Sequence, residues 1–181
     1  MQSSEAAKVV AEYVLNMSQL VVANVGLHYH HFEAIRRRGS TSDRLGLSWR
    51  SDNTDHRLRQ DYSQLASHFA KFNAEAKAMG LRRTAVFSET TPQHFQTKDG
   101  SGDYDSPGRA YKCGSASRAE AHDWRNKILH EVALKSSVQV VRVHRALTPL
   151  HQHHQTNVGD CTHFCYAVSY THLTLPTILL V

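Results

Sequence analysis

Short apolar runs alternate with longer amphipathic stretches along this chain, and that alternation constrains the fold more than any other feature. The clearest amphipathic stretch is Leu58, Tyr62, Leu65, Phe69, Phe72, Ala76 and Met79. Its spacings of four and three put these side chains on one face of a helix. Asp55 stands where a cap would start that helix and Gly80 where one would end it. Ala6, Ala7, Val9, Val10, Tyr13, Val14 and Met17 predict an earlier helix over 4–17, and Trp124, Ile128 and Val132 predict a later one over 118–135. Between these lie Leu20-Val21-Val22-Ala23, Thr84 to Phe87 and Val138 to Val143. Each is too short for a stable helix and suits a strand buried in a parallel sheet. Strands alternating with helices predict an α/β fold with a mainly parallel sheet covered on both faces. Three stretches read as loops: polar 36–54, the Gly/Ser/Asp-rich 89–117 and the His-rich 144–166. No internal repeat and no second domain are visible.

Composition narrows the function classes. Hydrophobic residues make up 40% and charged residues 20% of the chain, enough apolar content to bury a core. The net charge of +5 is scattered, and Arg36-Arg37-Arg38 is the single compact basic run. A nucleic-acid binder concentrates its charge on one face, so nucleic acid is not an expected partner. No apolar stretch approaches the roughly 20 residues that span a bilayer. Met1 is followed by Gln2, Ser3, Ser4 and Glu5, which is not the basic start of a signal peptide.

In an open parallel sheet, chemistry gathers beyond the carboxyl ends of the strands. Three polar segments are candidates for that place: Asn24 to His31, Glu89 to Phe95 and Gly159 to Cys165. The last reads Gly159-Asp160-Cys161-Thr162-His163-Phe164-Cys165. An Asp and a His three residues apart on a loop can work as a pair. The carboxylate orients the imidazole through one ring nitrogen, and the other nitrogen is left to accept a serine proton. The same string also suits a plain disulfide loop. A zinc knuckle fits less well, because Cys161, His163 and Cys165 alternate, whereas zinc takes four ligands at spacings such as Cys-x₂₋₄-Cys. The chain holds 14 His, and two clusters stand out: His28, His30 and His31, and His151, His153 and His154. Such nitrogens can bind zinc or copper. No carboxylate accompanies them at a diagnostic spacing, so they are read as solvated His-rich loops and no metal is expected.

The closing string resembles the final motif of the PC-esterase group, which includes the trichome-birefringence-like proteins and has the form Asp-Cys-x-His-Trp/Tyr-Cys. Two further segments are similar to motifs of that family. Asn24-Val25-Gly26-Leu27-His28-Tyr29 resembles its Asn-x-Gly-x-His segment, and Thr91-Pro92-Gln93-His94-Phe95 resembles its Thr/Ser-Pro-x-His-Phe segment. Gly100, Gly102 and Cys113 follow in the family's order, so the resemblance spans about residues 8–166. It implies the C-terminal part of an SGNH-hydrolase-like domain over 1–167, a partial three-layer α/β/α sheet lacking its first strand. It also implies serine acyl-ester chemistry, as an O-acetyltransferase or acetylesterase acting on a carbohydrate or polysaccharide.

Asp160 and His163 match the family's catalytic Asp and His. Asn24 and Gly26 stand where the oxyanion would be held, with His28 at a family position beside them. His94 is expected to contact substrate or to hold its loop. Among the chain's three cysteines, the resemblance makes Cys113–Cys161 a plausible disulfide, with Cys165 paired to an upstream cysteine. No cofactor is expected; the acyl donor would be acetyl-CoA or an acetylated carbohydrate. The family also implies the Golgi or secretory pathway and a type II membrane anchor upstream.

One departure matters. The family's nucleophile is the Ser of a Gly-Asp-Ser motif, and here Gly102-Asp103 is followed by Tyr104 and Gly159-Asp160 by Cys161. The chain as written is therefore expected to be inactive, with Met1 an internal methionine or a misplaced gene start. The alternative is a non-catalytic glycan-binding relative of the same fold. Val168 to Thr177 resembles one reading frame of a transposon-type sequencing adapter, so 168–181 is set aside from the fold reading, and the natural chain is expected to diverge near Ala167.

Overall fold

A computed structural model of the chain describes residues 19–29, 54–104, 106, 109–154 and 159–164. The helix expected over 4–17, the arginine run, His30, His31, Cys165 and the adapter-like tail lie outside the described residues. The elements in order are β1 (Leu20–Ala23), α1 (Thr54–Ala78), β2 (Thr84–Ser88), β3 (Phe95–Gln96), β4 (Ala110–Cys113), α2 (Trp124–Ser136), β5 (Val140–Val141) and α3 (His144–Leu147). Short 3₁₀ turns stand at Gly26–His28, Ala119–His122 and His151–His153. The described segments gather into two compact units. One holds 19–26, 55–89 and 125–141, and the other holds 27–29, 54, 90–124 and 142–164.

The first unit carries the parallel sheet, in the order β1-β2-β5. β1 pairs with β2 from Leu20↔Thr84 to Ala23↔Phe87, and β2 pairs with β5 at Phe87↔Val140 and Ser88↔Val141. The fold is thus α/β with a parallel sheet, as the alternating pattern predicts. The third strand is shorter than the expected Val138 to Val143. Asn73 of α1 shows why the sheet tolerates this. Its amide takes the Ala85 N–H at 2.7 Å and donates to the Ala85 carbonyl at 2.9 Å. Ala85 lies on the β5 side of β2, two residues before the Phe87↔Val140 pair, so a side chain closes the ladder there.

The expected helical stripe packs against this sheet. Leu58, Tyr62, Ala66, Phe69 and Ala76 are buried. Phe87 meets Tyr62 edge-on with ring centroids 5.6 Å apart and Phe69 at 5.1 Å. Two details differ from expectation. Asp55 lies within the first turn, where it complements the helix dipole. Met79 is 65% exposed because the helix stops at Ala78. The stop is a Schellman turn: Leu81 N–H bonds the Ala76 carbonyl, Gly80 N–H bonds the Lys77 carbonyl, and Gly80 takes φ +66°. α2 buries Ile128, Leu129, Val132 and Ala133. Both crossovers step the same way across the sheet, so the right-handed rule puts α1 and α2 on one face. The 2.6 Å Arg59–Glu131 bridge between them agrees. The sequence pattern implies helices on both faces; among the described residues of this unit both helices share one.

The second unit is built from the stretches read as loops. β3 and β4 pair antiparallel at Phe95↔Cys113 and Gln96↔Ala110. Gly102 between them is obligatory. Its φ is +72°, and a Cβ there would lie 2.2 Å from the Gln93 carbonyl oxygen. Arg109 sits between Tyr104 and Tyr111, 3.8 and 4.1 Å from the ring centroids, and donates to the Tyr111 hydroxyl. Cys113 is disulfide-bonded to Cys161, the pair that the family resemblance singles out. The His-rich stretch folds into α3 and a 3₁₀ turn, then pairs with the closing motif at the His154↔Phe164 bridge.

Candidate active site

Asp160 organises the closing loop through local hydrogen bonds. Its Oδ1 accepts the backbone N–H of Thr162 at 2.9 Å and of His163 at 3.0 Å. This turn is favoured by the short acidic side chain, which can reach the backbone two and three residues on. It curls His163 back so that its ring Nδ1 lies 2.8 Å from Asp160 Oδ2. A carboxylate only accepts, so Nδ1 carries the proton and Nε2 is left with a lone pair. That is the tautomer a general base needs. The His163 side chain is 62% exposed and the Asp160 side chain 30%. Partial burial pushes the Asp160 carboxyl upward. The His163 and Thr162 N–H bonds, with the His163 ring, outweigh it and hold the group below the usual carboxylate range.

Every neighbouring residue of the loop is also held. The Cys161 carbonyl accepts the His94 N–H at 2.8 Å, and the Cys161 side chain is tied to β4 by the disulfide. Gln93 Nε2 donates to Thr162 Oγ at 3.1 Å, while Gln93 Oε1 accepts the Tyr104 N–H at 2.9 Å. His154 Nδ1 donates to the His163 carbonyl at 2.9 Å, and its ring packs on Phe164 with centroids 4.3 Å apart. The result is an exposed imidazole on a backbone clamped on both sides.

His94 belongs to the clamp. It is fully buried, with Nε2 against the Thr148 carbonyl at 2.8 Å and Nδ1 against His154 Nε2 at 2.6 Å. Both ring nitrogens are thus committed to contacts that hold the loop. Burial is the main reason its pKa is lowered to about 4, and the neighbouring histidines add to the effect. His154 is lowered mainly by burial too. The reading of the His151, His153 and His154 cluster as a solvated loop is corrected here: His153 is exposed and His151 partly so, but His154 is buried.

Asn24 and Gly26 belong to the sheet-bearing unit. Asn24 Nδ2 donates to the Glu89 carbonyl at 2.8 Å, which joins the ends of β1 and β2, and Gly26 is buried in the turn that follows. The His28 side chain lies outside the described residues. The structure thus brings together Asp160, His163, Cys161, Cys113 and His94. In the same unit as Asn24, Glu89 is buried and meets His130 of α2 at 2.7 Å.

Sequence reasoning missed Gln93 and His154 as residues that hold the closing loop. Gln93 adjoins the family-like His94, which was the available signal. Among the described residues no three His, Cys, Asp or Glu side chains group to hold a metal ion, and no helix is long and apolar enough to cross a membrane. Compared with family models, curated proteins and solved structures, the chain finds no match.

Proposed function

We propose that this chain carries the Asp–His part of a serine acyl-ester site. The observation that carries the reading is the Asp160–His163 pair, whose 2.8 Å contact selects the Nδ1–H tautomer on a clamped loop. In this reading His163 Nε2 takes the proton from a serine hydroxyl as its oxygen attacks an acyl carbon. Asp160 stabilises the imidazolium that forms. Collapse of the tetrahedral intermediate releases the donor's alcohol or thiol, which takes the proton back from His163. The acyl-serine is then resolved by water or by a sugar hydroxyl, which gives the esterase or the O-acetyltransferase outcome. Positioned proton transfer of this kind contributes on the order of 10²–10⁴ in rate.

The parent is read as an SGNH-hydrolase-like enzyme of the PC-esterase group, with three α/β/α layers and a carbohydrate acceptor. Its donor would be acetyl-CoA or an acetylated carbohydrate. The Cys113–Cys161 disulfide supports a secretory or Golgi setting, because such bonds persist in oxidising compartments. A second reading, a non-catalytic glycan-binding relative, is favoured by Tyr111, which is 67% exposed while Arg109 fixes its ring for stacking on a sugar face.

The test is to read the source transcript without a transposon adapter, express the longer chain that it codes, and assay hydrolysis of an activated acetyl ester. The expected result is an in-frame Gly-Asp-Ser upstream and activity that His163→Ala abolishes. The 181-residue chain should show none above its own His163→Ala control. Activity in the short chain, or a longer chain with no such serine and no turnover, would overturn the enzyme reading. The second outcome would direct effort to a glycan-binding screen.

A further inference from the structure

We propose that His94 and His154 share a single proton across their 2.6 Å contact, and that this buried cation positions the Asp160–His163 loop. The Thr148 carbonyl only accepts, so His94 Nε2, at 2.8 Å from it, carries a proton. The His163 carbonyl only accepts, so His154 Nδ1, at 2.9 Å from it, carries a proton. If both rings were neutral, the two nitrogens left over would each present a lone pair. Those nitrogens are His94 Nδ1 and His154 Nε2, and they face each other. Two lone pairs do not approach to a strong hydrogen-bond distance. One additional proton between them turns the repulsion into a charge-assisted hydrogen bond. The pair then holds three protons on four ring nitrogens, and both carbonyl contacts survive.

The surroundings define the limits of this state. His94 faces His151 and His144 besides His154, and these neighbours disfavour added positive charge on its ring. His154 faces His151 and His163, which act in the same sense, and Asp160, whose carboxylate favours the first added proton. Burial opposes charge on either ring. Delocalising one charge over two rings, between two carbonyl oxygens and near Asp160, offsets that cost, whereas two charges would not be tolerated. Proton uptake therefore belongs to the pair and not to either ring. Loss of the shared proton forces one ring to change tautomer, and one of the Thr148 or His163 carbonyl contacts must then break. The second break frees the backbone of the general base itself. These two histidines are positioning residues that act through the His163 backbone. Their consequence for catalysis rests on the acyl-ester reading; the shared proton does not.

The experiment is ¹⁵N and ¹³C NMR on the histidines of the 181-residue chain from about pH 5 to 8. The expected result is one far-downfield proton with a through-hydrogen-bond coupling between His94 Nδ1 and His154 Nε2. The His163 carbonyl carbon shift should move as that proton is lost at the alkaline end. In His154→Asn, whose amide can still donate to the His163 carbonyl, the shared proton should vanish and the pH response of the His163 carbonyl carbon should flatten. If the wild-type spectra show two ordinary neutral rings with no coupling throughout the range, the shared proton is refuted, whether or not the variant folds. If the coupling is present but His163 does not respond to its loss, the positioning role is refuted. Neither result depends on ester hydrolysis, so failure here is separable from failure of the enzyme reading.

Discussion

Asp160 holds His163 twice, through its backbone N–H at 3.0 Å and through its ring Nδ1 at 2.8 Å. The first contact makes the turn and the second selects the tautomer. One carboxylate thus serves both local folding and the chemistry proposed for the site, which explains why an Asp and a His three residues apart suffice to build the pair.

Replacing Asp160 with Asn separates the two roles. The amide oxygen can still accept the Thr162 and His163 N–H groups, so the fold should survive with unchanged far-ultraviolet circular dichroism. The amide NH₂ would then donate to Nδ1 and move the ring proton to Nε2, the wrong tautomer for a base. In an active serine-bearing chain of the kind proposed, kcat should fall by about 10⁴-fold. A fall of less than about tenfold would remove Asp160 from the mechanism.

The Cys113–Cys161 disulfide joins residues 48 apart in sequence. Loop closure of that length stabilises the folded state by about 4 kcal/mol in the chain-entropy account. Cys113→Ala with Cys161→Ala should lower the urea midpoint accordingly, because the closing loop loses its tie to β4. An unchanged midpoint would show that the remaining clamp of Gln93, His94 and His154 is sufficient.

Asn73→Ala should cost about 1–3 kcal/mol, since it leaves the Ala85 N–H and carbonyl without their partner inside the sheet-bearing unit. Urea denaturation reads this directly. A surface-like effect of a few tenths of a kcal/mol would mean that water or β5 closes the ladder when the amide is removed.

Acid should destabilise the protein from about pH 6.5 downward. Burial lowers His94 to about 4 and lowers His154 as well, so below the ordinary histidine value the unfolded chain binds a second proton at these rings that the folded pair, holding only the shared one, refuses. This contribution is fully present at about pH 6.5 and falls by about 3 kcal/mol by pH 4. The depressed Asp160 carboxyl acts in the same direction at lower pH, because its contribution is lost as pH falls through its folded value. Urea midpoints at several pH values for wild type and His94→Gln check this: the variant should lose much of the slope between pH 6.5 and 4.

The amino-acid sequence by itself determined the local features. The stripe from Leu58 to Ala76, the Gly80 stop, the apolar runs of β1 and β2 and the Asp160–His163 spacing depend on residues within a few positions of one another, so periodicity and turn chemistry reveal them. Tertiary structure decided the rest. β5 is short because Asn73, 12 residues from Ala85 in sequence, stands in for its first pairing. His154 looked like one of several solvated histidines and is buried because His94, 60 residues away, meets it. Stretches read as loops form β3, β4 and α3, where the stabilising contacts are a disulfide, an Arg–Tyr stack and hydrogen bonds to the closing motif. Such contacts join residues far apart in the chain, and no local pattern records which of them will meet.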